Sequence, residues 1–437
     1  MTRTLADWLA YIERLHPQSI DMGLERIRAV ALRLGLGRPA TRVITVGGTN
    51  GKGSTVAFVE AIARAAGWKV GAYTSPHLLA YNERVRIDGA EVDDAALVAA
   101  FEAVEAARTG AGAADAVPLT YFEYGTLAAL WLFERAGLDL AVLEVGLGGR
   151  LDATNLVDAD VAVITTVDLD HQDWLGEDRE AIGAEKAGIA RPWKPLVLGD
   201  DDPPSSVLRH AYAIGASAWR IGNDFFCEPV ADAAGAQRWR WREVGYQIEL
   251  PMPRLLAPAQ LRNAAVAIAA LRALDAALPE PAYAEGVLRA HVRGRLQRFE
   301  RDGVEVVVDV GHNPQAAREL AAWLRAAPAR GEVHAVYAAL ADKDAAGVVE
   351  ALAGEVAHWH LAGLEDAGPR GQAVDVFAQR LTLTAAATGA RHADVAQALQ
   401  AACARARPGD RVLAFGSFHT AAAALRWLGE ARAPAPA

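Results

Sequence analysis

Thr49, Asn50, Gly51, Lys52, Gly53 and Ser54 are the residues whose types and spacing are best suited to holding a polyphosphate. Gly47 and Gly48 precede them and allow a turn with positive φ, and Lys52 projects one long cation into it. Ser54 and Thr55 open a helical pattern in which Val56, Val59 and Ile62 share a face, closed by Gly67. Before the turn, Val43, Ile44 and Val46 form an apolar β-branched run, the composition of a strand buried on both faces. Strand, glycine turn and helix N-terminus together make an anion site, because backbone N–H groups converge, the helix dipole adds partial positive charge and the lysine adds a full one. The predicted occupant is a nucleoside triphosphate. Gly53, inserted between Lys52 and Ser54, departs from the usual phosphate-loop spacing.

Other polar residues follow predicted strands, at the ends where an open α/β sheet gathers its ligands. Glu144 ends the buried run around Leu140, Val142 and Leu143, and a carboxylate with little room for solvation there has a cation to hold. Magnesium, which takes oxygen ligands and keeps waters, suits it; a histidine nitrogen is a less usual ligand, so for His171 the ligand and packing readings are equally open. Ser75 closes a predicted strand over 68–75, and a loop with His77, Asn82, Arg84 and Arg86 follows. Lys186 lies in a short helical segment, where residue type alone gives a solvated or ion-paired lysine. Tyr121 and Phe122 begin an apolar helix over 119–137 and read as core or as a stacking platform for a flat ring.

These residues need two α/β units to position them. A chain of 437 residues exceeds a comfortable single core, and the basic, glycine-containing crossing at 293–300 divides it into 1–294 and 295–430, with 431–437 a predicted disordered tail. Helices are predicted over 4–15, from Ile20 to Leu34, 93–107 and 257–274, a flexible connection at 110–116, and an antiparallel β piece within 200–260. The second unit alternates strand and helix again, presenting Asp309, His312 and Asn313, then Asp342 to Asp344, then Ser417 and His419. Composition is that of a soluble globular protein, 52% hydrophobic and 22% charged, without a run suited to a membrane helix, so a cytoplasmic chain is expected. A net charge of −10 argues against broad nucleic-acid binding, and two distant cysteines, Cys227 and Cys403, give neither a disulfide framework nor a thiolate metal cluster.

GTNGKGS, TSPHL with NERVRI, YFEYGT, LEVGLGGRLDATN, LDHQDWLG, EKAGI, DVGHNP, DKD and GSFH occur in an order that resembles the folylpolyglutamate synthases and their bifunctional dihydrofolate synthase form, within the Mur-ligase superfamily. The resemblance covers about residues 20 to 425 and implies a P-loop ATPase domain with a mostly parallel sheet followed by a smaller Rossmann-like α/β domain. It implies an ATP-dependent ligase that adds L-glutamate to dihydropteroate and to reduced folates through an acyl phosphate. By resemblance Thr49 to Ser54, Asn263, Arg295 and Asp309 contact ATP, Ser75, Glu144 and His171 bind magnesium, and Lys186 is carbamoylated. Asp21, Met22, Gly23, Leu24, Thr120, Tyr121, Phe122, Leu151 and Asp152 resemble the pterin pocket, His312 and Ser417 the glutamate site, and Lys52, Lys186, His171, Asp309 and His312 carry the chemistry. A monofunctional folylpolyglutamate synthase and a cell-wall Mur-type ligase are the alternatives. A monomer without nucleic-acid or membrane partners is expected.

Overall fold

The computed structural model describes residues 3–18, 20–110, 115–231, 237–274 and 277–430. The predicted connection at 110–116 therefore falls partly, and the predicted tail at 431–437 wholly, outside the described residues. The first unit is built on eight strands: β1 (Ala40–Gly47), β2 (Val70–Tyr73), β3 (Val85–Ile87), β4 (Ala90–Glu91), β5 (Leu138–Glu144), β6 (Val161–Ile164), β7 (Pro195–Leu198) and β8 (Ser217–Arg220). Their order is β4-β3-β2-β5-β1-β6-β7-β8; β2, β5, β1, β6, β7 and β8 run parallel, while β3 and β4 add an antiparallel edge.

The apolar runs explain this arrangement. Ile44, Val46, Leu140, Val142, Val161 and Val163 pack on one face against the helices Lys52–Ala65 and Ala259–Arg272, while Val43, Ala141 and Leu143 pack on the other against the helix Tyr121–Ala136. Strands covered on both faces need apolar residues at successive positions, which is the pattern these have. The helix Glu280–Arg289 crosses Lys52–Ala65 closely at Gly286, where an added Cβ would stand 2.4 Å from Ile62 Cα.

The antiparallel piece is present as β9 (Phe225–Ala231), β10 (Gln237–Glu243) and β11 (Tyr246–Pro251). It is anchored by Trp239 and Trp241, both buried, with Trp241 Nε1 donating to Ala265 O at 3.0 Å. The helix expected from Ile20 starts later, at Glu25. Arg26 is the reason: its guanidinium donates to Asp21 O at 2.7 Å and pairs with the Asp21 carboxylate at 2.7 Å, holding residues 21–23 off the helix axis. The first helix is likewise shorter than expected, Leu5–Ile12.

The second unit has the strands β12 (Gln297–Arg301), β13 (Val304–Val308), β14 (Val333–Tyr337), β15 (His358–Ala362), β16 (Ala390–His392) and β17 (Arg411–Phe415), in the order β12-β13-β17-β14-β15-β16. All pairs are parallel except β12 with β13. Val307, Tyr337, Leu413 and Phe415 pack under the helices Pro314–Ala326 and Ala345–Leu352, and Val306, Val308, Val336 and Val412 under Val395–Arg405 and Phe418–Trp427. The chain is thus a doubly wound α/β protein in two lobes.

Candidate active site

The phosphate loop leaves β1 at Gly47 and enters the helix Lys52–Ala65 through Gly51, whose φ of 87° favours glycine. Asn263 packs against that turn, its Oδ1 only 2.5 Å from where a Gly51 Cβ would sit. Lys52 Nζ donates to Gly48 O at 2.9 Å and Thr49 O at 3.2 Å, and Thr49 Oγ1 donates to Asp168 O at 3.1 Å. Burial pulls the Lys52 ammonium below the usual lysine range, against the opposing pull of Glu144 and Asp170. The Ser54 and Thr55 hydroxyls are buried without a hydrogen-bond partner. An unsatisfied buried polar atom is costly, so both fit a site completed by a bound group.

Glu144, at the end of β5, faces this loop: a Cβ added at Gly53 would stand 3.6 Å from its Oε2. That oxygen accepts from Ser75 N at 3.1 Å, placing Ser75 beside it. Burial raises the Glu144 pKa, while Lys52 and the Ser75 N–H oppose the rise. His171 sits at the start of the short helix Gln172–Leu175 with φ 51°. Burial, the largest influence, holds its pKa at about 4, so the ring is neutral near pH 7 and retains the lone pair a metal ligand needs. A hydroxyl, a carboxylate and a neutral imidazole fit a divalent cation accompanying phosphate oxygens.

Lys186, read from residue type as solvated or ion-paired, is neither: it is buried on the helix Arg179–Ala187 and enters no ion pair among the described residues. Burial first and the Lys52 charge second bring its pKa down to about 7, with Asp170 and Asp152 opposing. A substantial share of unprotonated amine near neutrality follows.

Beside this cluster the aromatic start of the helix Tyr121–Ala136 meets the glycine turn after β5. Thr120 caps that helix in a reciprocal pair with Glu123. Arg26 ties Asp21 to the same place by pairing with Glu123 at 3.2 Å. Phe122 lies against Gly146, where a Cβ would come within 2.6 Å of the ring, and Met22 approaches Gly148. Tyr121 makes an edge contact with Tyr81 at 5.9 Å and lies 5.6 Å from the Arg84 guanidinium. Gly23 and Leu24 lead from this contact into the next helix, and Leu151 is half-buried at the far side of the turn. Asp152 is consumed locally, accepting from Thr154 Oγ1 at 2.6 Å, Thr154 N at 3.0 Å and Leu147 N at 2.9 Å, so it shapes the turn.

The second lobe brings Arg295, Asp309 and His312 to the same cleft. Asp309 follows β13 and accepts from Leu296 N at 2.9 Å and Gly311 N at 2.7 Å; burial raises its pKa and Arg295 opposes this. Arg295 Nη1 is buried without a partner, and its guanidinium feels Asp309 and Glu144 from opposite lobes. His312 Nε2 lies 3.5 Å from Asp170 Oδ2. Ser417 stands nearby in the fold, but its Oγ caps the helix Phe418–Trp427, accepting from Thr420 N at 2.9 Å.

Three further cleft residues had no role assigned from the sequence: Asn313 and Lys343 were read only as polar residues at strand ends, and Gln315 was not singled out. Lys343 Nζ pairs with Asp170 Oδ1 at 2.6 Å across the lobes. Asn313 exchanges amide hydrogen bonds with Asn50, both at 3.1 Å, and Gln315 also accepts from Asn50. Their only local signals were the DKD cluster after a strand and a helix cap before Pro314, neither of which names a partner.

Residues 46–271 match the Mur ligase middle domain, and residues 294–418 match the Mur ligase, glutamate ligase domain. The dihydrofolate synthase/folylpolyglutamate synthase of Escherichia coli K12 is 47% identical over 419 residues, covering 96% of this chain and 94% of that protein. The structure of E. coli FolC in complex with DHPP and ADP has a TM-score of 0.89 at 46% identity, covering 98% of each chain. A bifunctional folylpolyglutamate synthase/dihydrofolate synthase with Mn, AMPPNP and L-glutamate bound has a TM-score of 0.88 at 43% identity, covering 98% of this chain and 99% of that one. With the phosphate loop, the two-lobed cleft and these likenesses together, the chain belongs to the dihydrofolate synthase/folylpolyglutamate synthase family of ATP-dependent Mur ligases.

Proposed function

We propose that the chain joins L-glutamate to dihydropteroate and to reduced folates at the expense of ATP. The observation that carries this reading is the facing of Lys52, Glu144 and Arg295 across a cleft bordered by the Tyr121–Phe122 aromatics. In the first step a pterin-borne carboxylate attacks the γ-phosphorus, the bond to ADP breaks and an acyl phosphate forms. The glutamate amine then attacks the acyl carbon, and phosphate leaves with the electron pair of the broken C–O bond while the amine proton passes to base or water. Phosphoryl transfer depends on positioning and charge neutralisation more than on covalent assistance. Lys52, Arg295 and the N–H groups of residues 51–54 suit the phosphates, while the N–H groups of Thr49 and Asn50 are spent on Thr166 and brace the loop; Asn263 buttresses the turn, and Asp309 orients Leu296 and Gly311 beside Arg295. Ser75, Glu144 and His171 would hold magnesium, which when bound neutralises charge developing on the phosphate oxygens. Asp21 to Leu24, Thr120 to Phe122 and Leu151 form the pterin side, with Asp152 positioning the turn; His312 and the Ser417 region border the glutamate side.

Lys186 reacts with CO₂ in this reading, forming an N–C bond and releasing one proton. Its burial and low pKa support that step. Incubation with ¹³C-bicarbonate should give a carbamate carbon signal absent from Lys186→Arg. The two lobes correspond to functional domains 1–294 and 295–430, which act as a monomer because one chain supplies both sides of the cleft. Among the described residues no helix is long and apolar enough to cross a membrane.

The deciding experiment is phosphate release with ATP and magnesium, offering dihydropteroate or tetrahydrofolate with and without L-glutamate. Release with both acceptors, only when glutamate is present, is expected. Release with tetrahydrofolate alone would reduce the assignment to folylpolyglutamate synthase, and turnover requiring a UDP-linked peptide would reject it.

A further inference from the structure

At the end of the second sheet where its parallel strands begin, opposite the cleft, a group of histidines and carboxylates plays no part in the ligase chemistry. His334 is the second residue of β14 and His358 the first of β15, and they are register partners. Their ring centroids are 4.7 Å apart, and Glu332 precedes His334 by two residues. One carboxylate oxygen of Glu332 and one ring nitrogen from each histidine lie within 4.8 Å of one another. His334 is only 1% exposed, and neither of its ring nitrogens has a hydrogen-bond partner. Asp410 Oδ2 stands 3.6 Å from its Nε2, beyond useful hydrogen-bond reach. Burying an imidazole with both nitrogens unsatisfied is unfavourable, and a ligand on one nitrogen would relieve this.

We propose that Glu332, His334 and His358 form a second metal site, selective for a divalent transition ion and best suited to zinc. Two imidazoles and one carboxylate are a zinc donor set that leaves a fourth tetrahedral position for water, whereas magnesium and calcium prefer all-oxygen shells. The groups are arranged for capture. His334 is fixed by burial, while the side chains of His358 and Glu332, 25% and 63% exposed, are free to swing inward from their present 2.9 Å contact with each other. Arg405 and Arg407 border the same recess and weaken cation binding; Asp410 offsets them from the side of His334. The bound ion would fasten β14 to β15 and the chain entering β14.

Tag-free, full-length protein stripped with EDTA is titrated with cobalt(II) and with zinc in excess magnesium, which occupies the oxygen-rich cleft site. One equivalent of cobalt should give visible bands of a low-symmetry site that zinc abolishes, and zinc should raise Tm by a few degrees. His358→Gln and Glu332→Gln, both at accessible side chains, should bind zinc at least tenfold more weakly, lose the Tm rise and keep wild-type Tm in EDTA and wild-type ligase activity. Absence of a tight zinc equivalent, or equal zinc affinity in wild type and both variants, would overturn the site.

Discussion

Lys52 is held between two carbonyls of its own loop and two carboxylates, so its ammonium is already aimed where phosphate charge gathers. Lys52→Ala should lower kcat for glutamate-dependent phosphate release by roughly 10²–10³-fold with either acceptor, the scale seen when one preorganised stabilising group is removed. Lys186→Ala should fall by a similar factor, and added acetate should restore part of the loss if a carboxylate on that side chain is what the reaction needs. Both are read in the same phosphate-release assay. The two lysines also differ in what their sequence revealed. Lys52 was legible because the strand, glycines and helix that define its task are its own neighbours in the chain. Lys186 was not, since its burial is supplied by residues distant in sequence, and only the family resemblance set it apart.

At the level of elements, Gly286 decides how closely two helices approach. The atoms nearest an added Cβ are Ile62 Cα, Cγ1 and N, and the two main-chain atoms among them, part of the phosphate-loop helix, cannot swing aside. Gly286→Ala should therefore destabilise by about 1–3 kcal/mol in urea unfolding, even though replacing glycine usually restricts the unfolded chain favourably. Glu105 joins three helices by accepting from Tyr11, Arg108 and Tyr124. Burial works against its charge, but these hydrogen bonds outweigh it and hold the folded pKa below the usual 4.5. A depressed folded pKa gives stability that is complete above the unfolded value and drains away as pH falls through the folded one. Glu105→Gln should therefore flatten the loss of Tm below about pH 5, as thermal melts across that range would show. Element types were readable from apolar runs and glycine punctuation, including the antiparallel piece around Trp239 and Trp241. The delayed start of the helix Glu25–Leu34 was not, because it depends on how Arg26 grips Asp21.

For the molecule as a whole, the lobes meet through apolar residues, Leu78 and Leu79 packing into the core of the second lobe, and through polar pairs around Asn50 and Asp170. Asn313 caps the helix Pro314–Ala326 through Oδ1 and reaches Asn50 through Nδ2. Asn313→Asp keeps the cap but loses the donor to Asn50 and sets a second carboxylate against Asp170, so it should raise the KM for ATP and lower the urea midpoint; Asn313→Ala avoids that repulsion and should lose about 1 kcal/mol of stability with the cap. Strand ends rich in polar groups showed that the second unit contributes to a site, but no local pattern tells which residue of one lobe meets which of the other. That pairing is a property of the assembled sheets. The unfilled Nη1 of Arg295 and the unfilled hydroxyl of Ser54 come from opposite lobes. Each lacks an oxygen partner, and a single chain of linked phosphates can serve both at once. Affinity for nucleotide analogues should consequently climb in a jump, not in even increments, once a molecule is long enough to span from one unmet group to the other.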